Sequence, residues 1–250
     1  MVEVNNITFL YNNKEILNNI DFISKSGEIT TILGENGSGK TTLLKIIDKL
    51  LKPQYGCVLI ENQNIKNLKS LEMAKKIGYC PQNSYSPQTT VFETILTGRI
   101  PFTRWFISKN DLELVNDTIK LMGLSDILFS NINHISGGEL QKVIIARAIV
   151  SKPKILLLDE PINHLDIKNQ HEIMQLLYKI TKDLQITSII VLHDINIALR
   201  YADNFIVLKN GAIIASGAKE IITENIIEKA FNLKVKIIYD GKVPLVLPLS

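Results

Sequence analysis

Apolar residues are arranged along this chain in two different ways. Near the N-terminus they alternate with polar residues, which is typical of strands with one buried face. Residues 2–9 are predicted to form an edge strand, and residues 20–24 a second strand after a polar turn. Further along, the runs ILLL (155–158) and SIIVL (188–192) show no alternation. Continuous runs of this length predict parallel strands that are buried on both faces.

A helical pattern interrupts the strands in the middle of the chain. The strand predictions before it cover residues 28–33, 58–60 and 77–80, and a helix is predicted over 42–51, closed by Pro53. Between about 81 and 151 the strand pattern is absent. One face of a helix that stops at Gly123 is formed by Leu112, Val115, Ile119 and Met122, and residues 138–150 form another helix. A helical insertion is therefore expected.

Strands and helices alternate again after this insertion. Helices are predicted over residues 168–182 and 195–202, with a strand over 187–193 between them. A hairpin is predicted around Asn210-Gly211, because this dipeptide favours the left-handed turns that join antiparallel strands. A β-like tail ends the chain. The order of elements indicates an α/β fold.

Composition and charge exclude several functional classes. The chain has 250 residues and a net charge of +3, which is too small and too dispersed to indicate a nucleic-acid partner. There is no pattern of a signal peptide and no run of about 18 apolar residues that could cross a membrane. Work at a membrane would thus require another chain. Cys57 and Cys80 lack metal-ligand spacing and are expected to be small core residues in a reducing compartment.

The stretch GENGSGKT (34–41) is a candidate phosphate site directly after an apolar strand. Its three glycines allow the backbone to turn sharply and to approach a ligand closely. Backbone N–H groups and the N-terminus of the following helix would face an anion, Lys40 would add charge, and the Thr41 hydroxyl could hold Mg²⁺. The pattern predicts nucleotide binding.

Three distant residues extend this site. Asp159 and Glu160 end the ILLL strand, and ligands of α/β sheets lie at the carboxyl ends of strands. Asp159 could hold Mg²⁺ through water, and Glu160 could act as the general base for an attacking water. His193 ends the next strand, where its imidazole could reach a γ-phosphate. The simpler alternatives are two capping carboxylates and a structural histidine.

The stretch ISGGE (135–139) resembles a second anion cradle, because Ser136 and two glycines precede a helix. It belongs to the helical insertion and not to the first loop. Two phosphate-binding elements in one chain suggest a nucleotide held between two copies of the chain. A helix N-cap formed by Ser136 is the alternative.

These motifs together resemble the ATP-binding cassette (ABC) ATPases. The resemblance covers essentially the whole chain and rests on GENGSGKT, the glutamine of YCPQ, the signature ISGGELQ, the strand ILLLDEP, NHLD after it, and the histidine of VLHD, in the family's order. It implies a P-loop NTPase core with a mixed, mostly parallel sheet and an antiparallel β subdomain, formed by residues 1–80 and 152–250. Residues 81–151 would form an inserted helical subdomain that carries the signature.

The resemblance also implies a role for each motif residue. Tyr11 would stack on adenine, with simple packing as the alternative. The phosphates and Mg²⁺ of ATP would be wrapped by Gly34, Glu35, Asn36, Gly37, Ser38, Gly39, Lys40, Thr41 and Thr42. Gln82 would contact Mg²⁺ or the attacking water, so that Thr41, Gln82 and Asp159 serve the metal and Glu160, His193 and Gln82 serve catalysis. The γ-phosphate of the opposite subunit would be contacted by Ser136, Gly137 and Gly138, and Asp166 would link the two sites.

Within the family, three segments resemble the ATPase subunits of iron–siderophore, haem and cobalamin importers. They are TVFETILTGRIPF (90–102), LHDINIALRYAD (192–203) and the C-terminal tail. The implied partners are a second copy of the chain, multi-span permease subunits and, indirectly, a substrate-binding protein, at the cytoplasmic face of the cell membrane. The alternatives are a molybdate or tungstate importer and a soluble ATPase of the iron–sulfur assembly type. A DNA-repair or translation-factor protein would need a long coiled coil or two cassettes.

The stretch TGRIPFTRWFISK (97–109) mixes aromatic and basic residues and contains the single tryptophan. Such mixtures are typical of interface anchors. We therefore expect the region from Gln82 to Phe106 to receive the permease, with Arg104 and Trp105 as the residues to test. Packing of the helical insertion is the alternative.

Overall fold

The computed structural model describes residues 1–82, 88–103, 106–241 and 243–249. Its strands are β1 (Val2–Tyr11), β2 (Lys14–Ser24), β3 (Ile29–Gly34), β4 (Tyr55–Ile60), β5 (Gln63–Asn64), β6 (Ile77–Cys80), β7 (Ile155–Asp159), β8 (Thr187–Val191), β9 (Asn204–Lys209), β10 (Ala212–Gly217), β11 (Val235–Asp240) and β12 (Val243–Pro248). Its α-helices are α1 (Lys40–Ile47), α2 (Ser70–Lys76), α3 (Val91–Leu96), α4 (Lys109–Leu121), α5 (Gly137–Ile149), α6 (Ile167–Asp183), α7 (Ile195–Tyr201) and α8 (Glu224–Phe231). Short 3₁₀ turns lie between several of them.

Two larger sheets organise the chain. The first is antiparallel, in the order β2-β1-β4-β5. The second has the order β10-β9-β3-β8-β7-β6 and is parallel from β9 to β6, with β10 antiparallel at its edge. This confirms the α/β class with a mostly parallel sheet. The prediction of an edge strand at residues 2–9 is wrong, because β1 lies between β2 and β4 and β2 occupies the edge.

The parallel sheet has a core on each face. Every residue of β3, β7 and β8 is buried. On β7, Ile155 and Leu157 contact the core shared with α1 and the antiparallel sheet, whereas Leu156 and Leu158 contact the core shared with helices α3 to α7. A strand buried on both faces needs apolar residues at every position, which explains the missing alternation in its sequence.

The helical segment differs from its prediction in detail. Val115, Ile119 and Met122 are buried as expected, but Leu112 is 38% exposed, so the expectation of a buried Leu112 is wrong. No separate helix is predicted at the positions of α2, α3 and α8. Helix α1 ends at Ile47, four residues earlier than expected, because Lys49 takes a left-handed φ of 61° and the N–H of Leu50 donates to the carbonyl of Lys45 at 2.8 Å. Pro53 is not the residue that stops the helix.

The two cysteines lie in different surroundings. Cys80 is buried, as expected of a small core residue. Cys57 is only half-buried on β4, so the expectation of a core residue is wrong for it. Burial raises the pKa of the Cys80 thiol to about 12, which makes this group unreactive near neutral pH.

A buried ion pair stabilises the start of α4. The guanidinium of Arg99 donates to Asp111 at 2.8 Å, and both side chains are less than a tenth exposed. Asp111 also accepts from Ser108, the N-cap of α4. We expect Asp111→Ala to lower the free energy of unfolding by roughly 3–5 kcal/mol, because it leaves the Arg99 charge buried without its carboxylate. Thermal unfolding monitored by circular dichroism checks this, with the exposed Asp117→Ala in the same helix as control. Equal melting of the two variants would contradict the expectation.

Candidate nucleotide site

The glycine loop between β3 and α1 has a backbone that side chains would obstruct. Gly34 has a φ of 152°, and a Cβ there would lie 2.3 Å from the carbonyl oxygen of Leu208. Gly39 has a φ of 102°, and a Cβ there would lie 2.6 Å from the side chain of Leu17. Glycine is thus required at both ends of the loop. The loop leads directly into the first turn of α1, where the helix has N–H groups without a partner in the helix.

Lys40 is the first residue of α1 and is 5% exposed. Its amine donates to the carbonyls of Gly34 and Glu35, both at 2.9 Å. Burial lowers the pKa of Lys40, while the nearby carboxylates of Glu160 and Asp159 partly oppose this shift. A desolvated ammonium gains more from a neighbouring anion than an exposed one does. The loop therefore offers a fixed, buried positive charge.

Asp159 lies at the carboxyl end of β7 and is 1% exposed. Its Oδ1 accepts from the Thr41 hydroxyl at 3.1 Å, and its Oδ2 is buried with no hydrogen-bond donor among the described residues. Burial raises the pKa of Asp159, and the bond from Thr41 opposes the shift. An unpaired carboxylate oxygen beside a hydroxyl supplies the hard oxygen ligands that Mg²⁺ prefers. These residues therefore fit a magnesium ion.

Glu160 is held by three side chains. Its Oε2 accepts from Gln82 Nε2 at 2.7 Å and from Asn163 Nδ2, and its Oε1 is bonded to His193 Nε2. The backbone of Glu160 has a left-handed φ of 54°, which is uncommon outside glycine and is often found at functional sites. These contacts fix a carboxylate at the end of β7, next to Asp159.

One open cleft of about 810 Å³ joins Lys40, Thr41 and Glu160, while Asp159 contacts it only through its bond with Thr41. It is lined by Ile16, Asn36, Gly37, Gly39, Lys40, Thr41, Thr42, Gln82, Glu160, Asn163, His164 and His193. Asn163, His164 and Ile16 are not among the predicted site residues. Asn163 and His164 belong to the NHLD stretch, a motif of the resemblance that implies no role for these two residues. Ile16 comes from β2, so only the packing of the antiparallel sheet against the loop brings it to the cleft.

A second group of candidate residues lies at the first turns of α5 and α6. Ser136 is the N-cap of α5 and forms a capping box with Glu139. The side chain of Asn169 packs against Gly138, where a Cβ would approach it to 2.7 Å, and Asn169 also bonds to Asp166. Ser136, Gly138 and Asp166 are thus brought together, but none of them lines the cleft of their own chain.

The remaining candidates have other surroundings. Tyr11 is 61% exposed at the end of β1 and does not line the cleft. Glu35 accepts from Asn232 at 3.0 Å, and the hydroxyl of Ser38 is buried in the loop without a partner among the described residues. Gly137 is exposed next to Leu165.

Comparison with known proteins identifies the chain. Residues 17–163 match the family model described as "ABC transporter". The chain belongs to the ABC transporter family. It is 48% identical over its whole length to an uncharacterized ABC transporter ATP-binding protein of Methanocaldococcus jannaschii, covering 98% of that protein. It is 37% identical to the ferric enterobactin transport ATP-binding protein FepC of Escherichia coli, with 98% of this chain and 92% of FepC covered. This ABC protein is therefore an ATPase.

Solved structures of the family have the same fold. A putative metal-chelate type ABC transporter in an inward-facing conformation matches with a TM-score of 0.88 and 26% identity, covering all of this chain and 97% of the other. A dimeric ATP-binding cassette in a post-hydrolysis state, bound to ADP and Pi, matches with a TM-score of 0.78 and 34% identity, with 87% of this chain and 98% of the other covered. This confirms the P-loop NTPase fold class.

The stretch expected to receive a permease is only partly described. Arg104 and Trp105 lie outside the described residues. Arg99 is buried with Asp111 and stacks on Phe102 at 4.1 Å, so these residues pack the ABC ATPase itself and do not form an exposed rim. Phe106, in contrast, is 88% exposed. Within the described part of the chain, no helix is both long enough and apolar enough to span a bilayer.

Proposed function

We propose that this chain is the ATP-binding and ATP-hydrolysing subunit of an importer that takes up a metal chelate of the iron–siderophore, haem or cobalamin type through a separate membrane permease. The relatives that support this class include FepC and the petrobactin import ATP-binding protein YclP of Bacillus subtilis, which is 35% identical over 95% of both chains. The metal-chelate type transporter structure supports it as well. The chain would work at the cytoplasmic face of the cell membrane.

The hydrolytic role rests on one observation: Lys40, Thr41 and Glu160 line a single cleft, and Asp159 is bonded to Thr41 just beneath its surface. Gly34 to Thr42 would bind the ATP phosphates, with Lys40 neutralising their charge. Thr41, Asp159 and Gln82 would hold Mg²⁺, which when bound withdraws charge from the phosphate oxygens. Glu160 would take a proton from the attacking water, since its carboxylate is oriented by Gln82, Asn163 and His193.

The residues at the first turns of α5 and α6 favour a nucleotide site shared between two copies of the chain. Ser136, Gly137 and Asp166 are exposed, Gly138 is buried against Asn169, and all four lie outside the cleft. We infer that they contact the γ-phosphate bound by a second copy of the chain, as the dimeric cassettes suggest. The exposed ring of Tyr11 would stack on adenine. ATP would then bridge the two copies, and hydrolysis would remove the bridge.

Coupling to transport would use the helical insertion. Residues 81–151 would form the signature subdomain, and residues 1–80 with 152–250 the nucleotide-binding core. Gln82 bonds to Glu160 and is one of the first residues of this insertion. Hydrolysis of the bound nucleotide would therefore shift the surface around residues 82–106. The permease would dock there, and a substrate-binding protein would act only through the permease.

Reconstitution tests the proposed function. The chain is purified with the permease encoded beside its gene and placed in proteoliposomes, with ATP and Mg²⁺ on the side of the ATPase. We expect ATP-dependent uptake of a ferric siderophore, haem or cobalamin, and no uptake of molybdate offered in parallel. Uptake of molybdate instead, or a soluble assembly partner in place of a permease, would overturn the proposal.

A further inference from the structure

The net positive charge of the chain is concentrated in one segment. Residues 45–76 contain seven lysines and three acidic residues, a net charge of +4, while the whole chain has a net charge of +3. The rest of the chain is therefore nearly neutral. The excess charge lies around the end of α1, the strands β4 and β5, and α2.

Hydrogen bonds from lysine side chains to backbone carbonyls hold part of this segment together as one surface. The amine of Lys49 donates to the carbonyls of Lys66 at 3.3 Å and Leu68 at 2.5 Å. The amine of Lys66 in turn donates to the carbonyl of Gly56 at 3.3 Å. These bonds join the end of α1, the segment after β5 and the start of β4. Lys52 and Lys69 are exposed on the neighbouring loops.

The three acidic residues of the segment offset only part of the charge of its seven lysines. Glu61 is paired with Lys76 at 2.8 Å, and Glu72 accepts from the backbone N–H of Lys69 at 2.6 Å at the start of α2. Burial raises the pKa of Asp48 to about 7, so that this carboxyl is only partly ionised near neutral pH. The segment therefore keeps a net positive charge.

Apolar groups lie among these lysines. A cavity of about 370 Å³ is lined by Leu51, Pro53, Cys57, Val58 and Ile65 together with Lys49, Lys52 and Lys66. Beside it, Leu50 is 61% exposed and Tyr55 is 70% exposed. Both Tyr55 and Cys57 belong to β4; Cys57 lines the cavity, and Tyr55 is exposed two residues before it. We call Lys49, Leu50, Lys52, Tyr55, Lys66 and Lys69 the basic-apolar patch.

We propose that the basic-apolar patch docks on the anionic lipid surface of the membrane next to the permease. The inference rests on the proposed function, which places the chain at a membrane. Lysines gain from anionic headgroups while their aliphatic stems, together with Leu50 and Tyr55, enter the apolar boundary of the lipid. A nucleic acid fits less well, since the patch offers one aromatic ring and a small apolar cavity in place of a long basic groove with stacking platforms.

Vesicle binding by the full chain, without permease and without nucleotide, tests the proposal. Sedimentation compares phosphatidylcholine vesicles with vesicles that also contain about 30 mol % phosphatidylglycerol. We expect at least about tenfold stronger partitioning to the anionic vesicles, since each lysine near such a surface contributes about fivefold. Raising the salt to about 0.5 M should weaken the preference, because headgroup charges are then screened. Equal binding to both vesicles would overturn the proposal.

A matched pair of variants locates the surface. Lys52→Glu with Lys69→Glu is expected to reduce binding to anionic vesicles at least about tenfold. Lys120→Glu with Lys179→Glu makes the same change in net charge at exposed positions of α4 and α6 and should bind nearly as wild type does. ATP affinity, unchanged in both, shows that the variants are folded. Equal losses in the two variants would overturn the assignment to this patch.

Two further outcomes separate this inference from its alternatives. If a short DNA duplex binds the patch more tightly than anionic vesicles do, the partner class is wrong. If the chain supports transport with its permease but does not bind anionic vesicles, only the lipid inference is wrong. If it binds vesicles through the patch but never assembles with a permease, the proposed function fails.

Discussion

Glu160→Gln is expected to retain ATP binding while hydrolysis falls by about 10²–10⁴-fold, the usual contribution of a general base. The amide keeps the shape of the side chain: its oxygen can still accept from Gln82 and Asn163, and its NH₂ group faces His193. It cannot take a proton from water. Because ATP is then bound but not cleaved, two copies should remain joined as an ATP-stabilised dimer.

The measurements are steady-state release of phosphate and size-exclusion chromatography with ATP and Mg²⁺. Glu113→Gln serves as the control, since Glu113 is exposed on α4, outside the cleft, and should leave turnover unchanged. Undiminished turnover in Glu160→Gln would contradict the assignment of the base. A monomer under these conditions would contradict the shared site.

Lys40→Ala is expected to lose most of its ATP affinity. The amine is the buried cation of the loop, and each charge-assisted hydrogen bond to phosphate contributes roughly 1.5–3 kcal/mol, or about tenfold or more in affinity. The substitution also leaves the carbonyls of Gly34 and Glu35 without their donor, which loosens the loop. Both effects weaken binding.

Nucleotide affinity measured by calorimetry or by a fluorescent ATP analogue checks this expectation. Lys45→Ala is the control, because Lys45 is exposed in the same helix and does not line the cleft. An affinity of Lys40→Ala within about twofold of wild type would exclude the loss of even one charge-assisted bond and would contradict the phosphate-loop interpretation.

The phosphate loop can be predicted from the sequence, whereas the bond between Asn163 and Glu160 cannot. The glycine loop and the capping serine of α5 are determined by residues close together in the chain, so their motifs indicate them directly. Asn163 lies three residues after Glu160, yet its bond to that carboxylate depends on how the turn after β7 folds back. No periodicity or spacing predicts such a contact.

Burial was harder to predict than secondary structure at several positions. Arg99 lies in a stretch whose composition resembles an interface, but it is buried because Asp111, in the first turn of the next helix, supplies a matching charge. Leu112 satisfies the helical spacing of α4 but is 38% exposed, whereas Val115 and Ile119 on the same helix are buried. Neighbouring elements, not the pattern itself, decide which residues of a stripe are covered.

The sequence by itself determined the local features of this protein: the buried strands, most of the helices, the turn at Asn210-Gly211 and the phosphate loop. These follow from backbone conformation, capping and apolar periodicity, which act over a few residues. Only the tertiary structure decided that β1 is internal, that Thr41 bonds to Asp159 and that Gln82 and His193 meet at Glu160. These contacts join residues far apart in the chain, and they depend on the order in which strands pair and on which face each crossover helix covers.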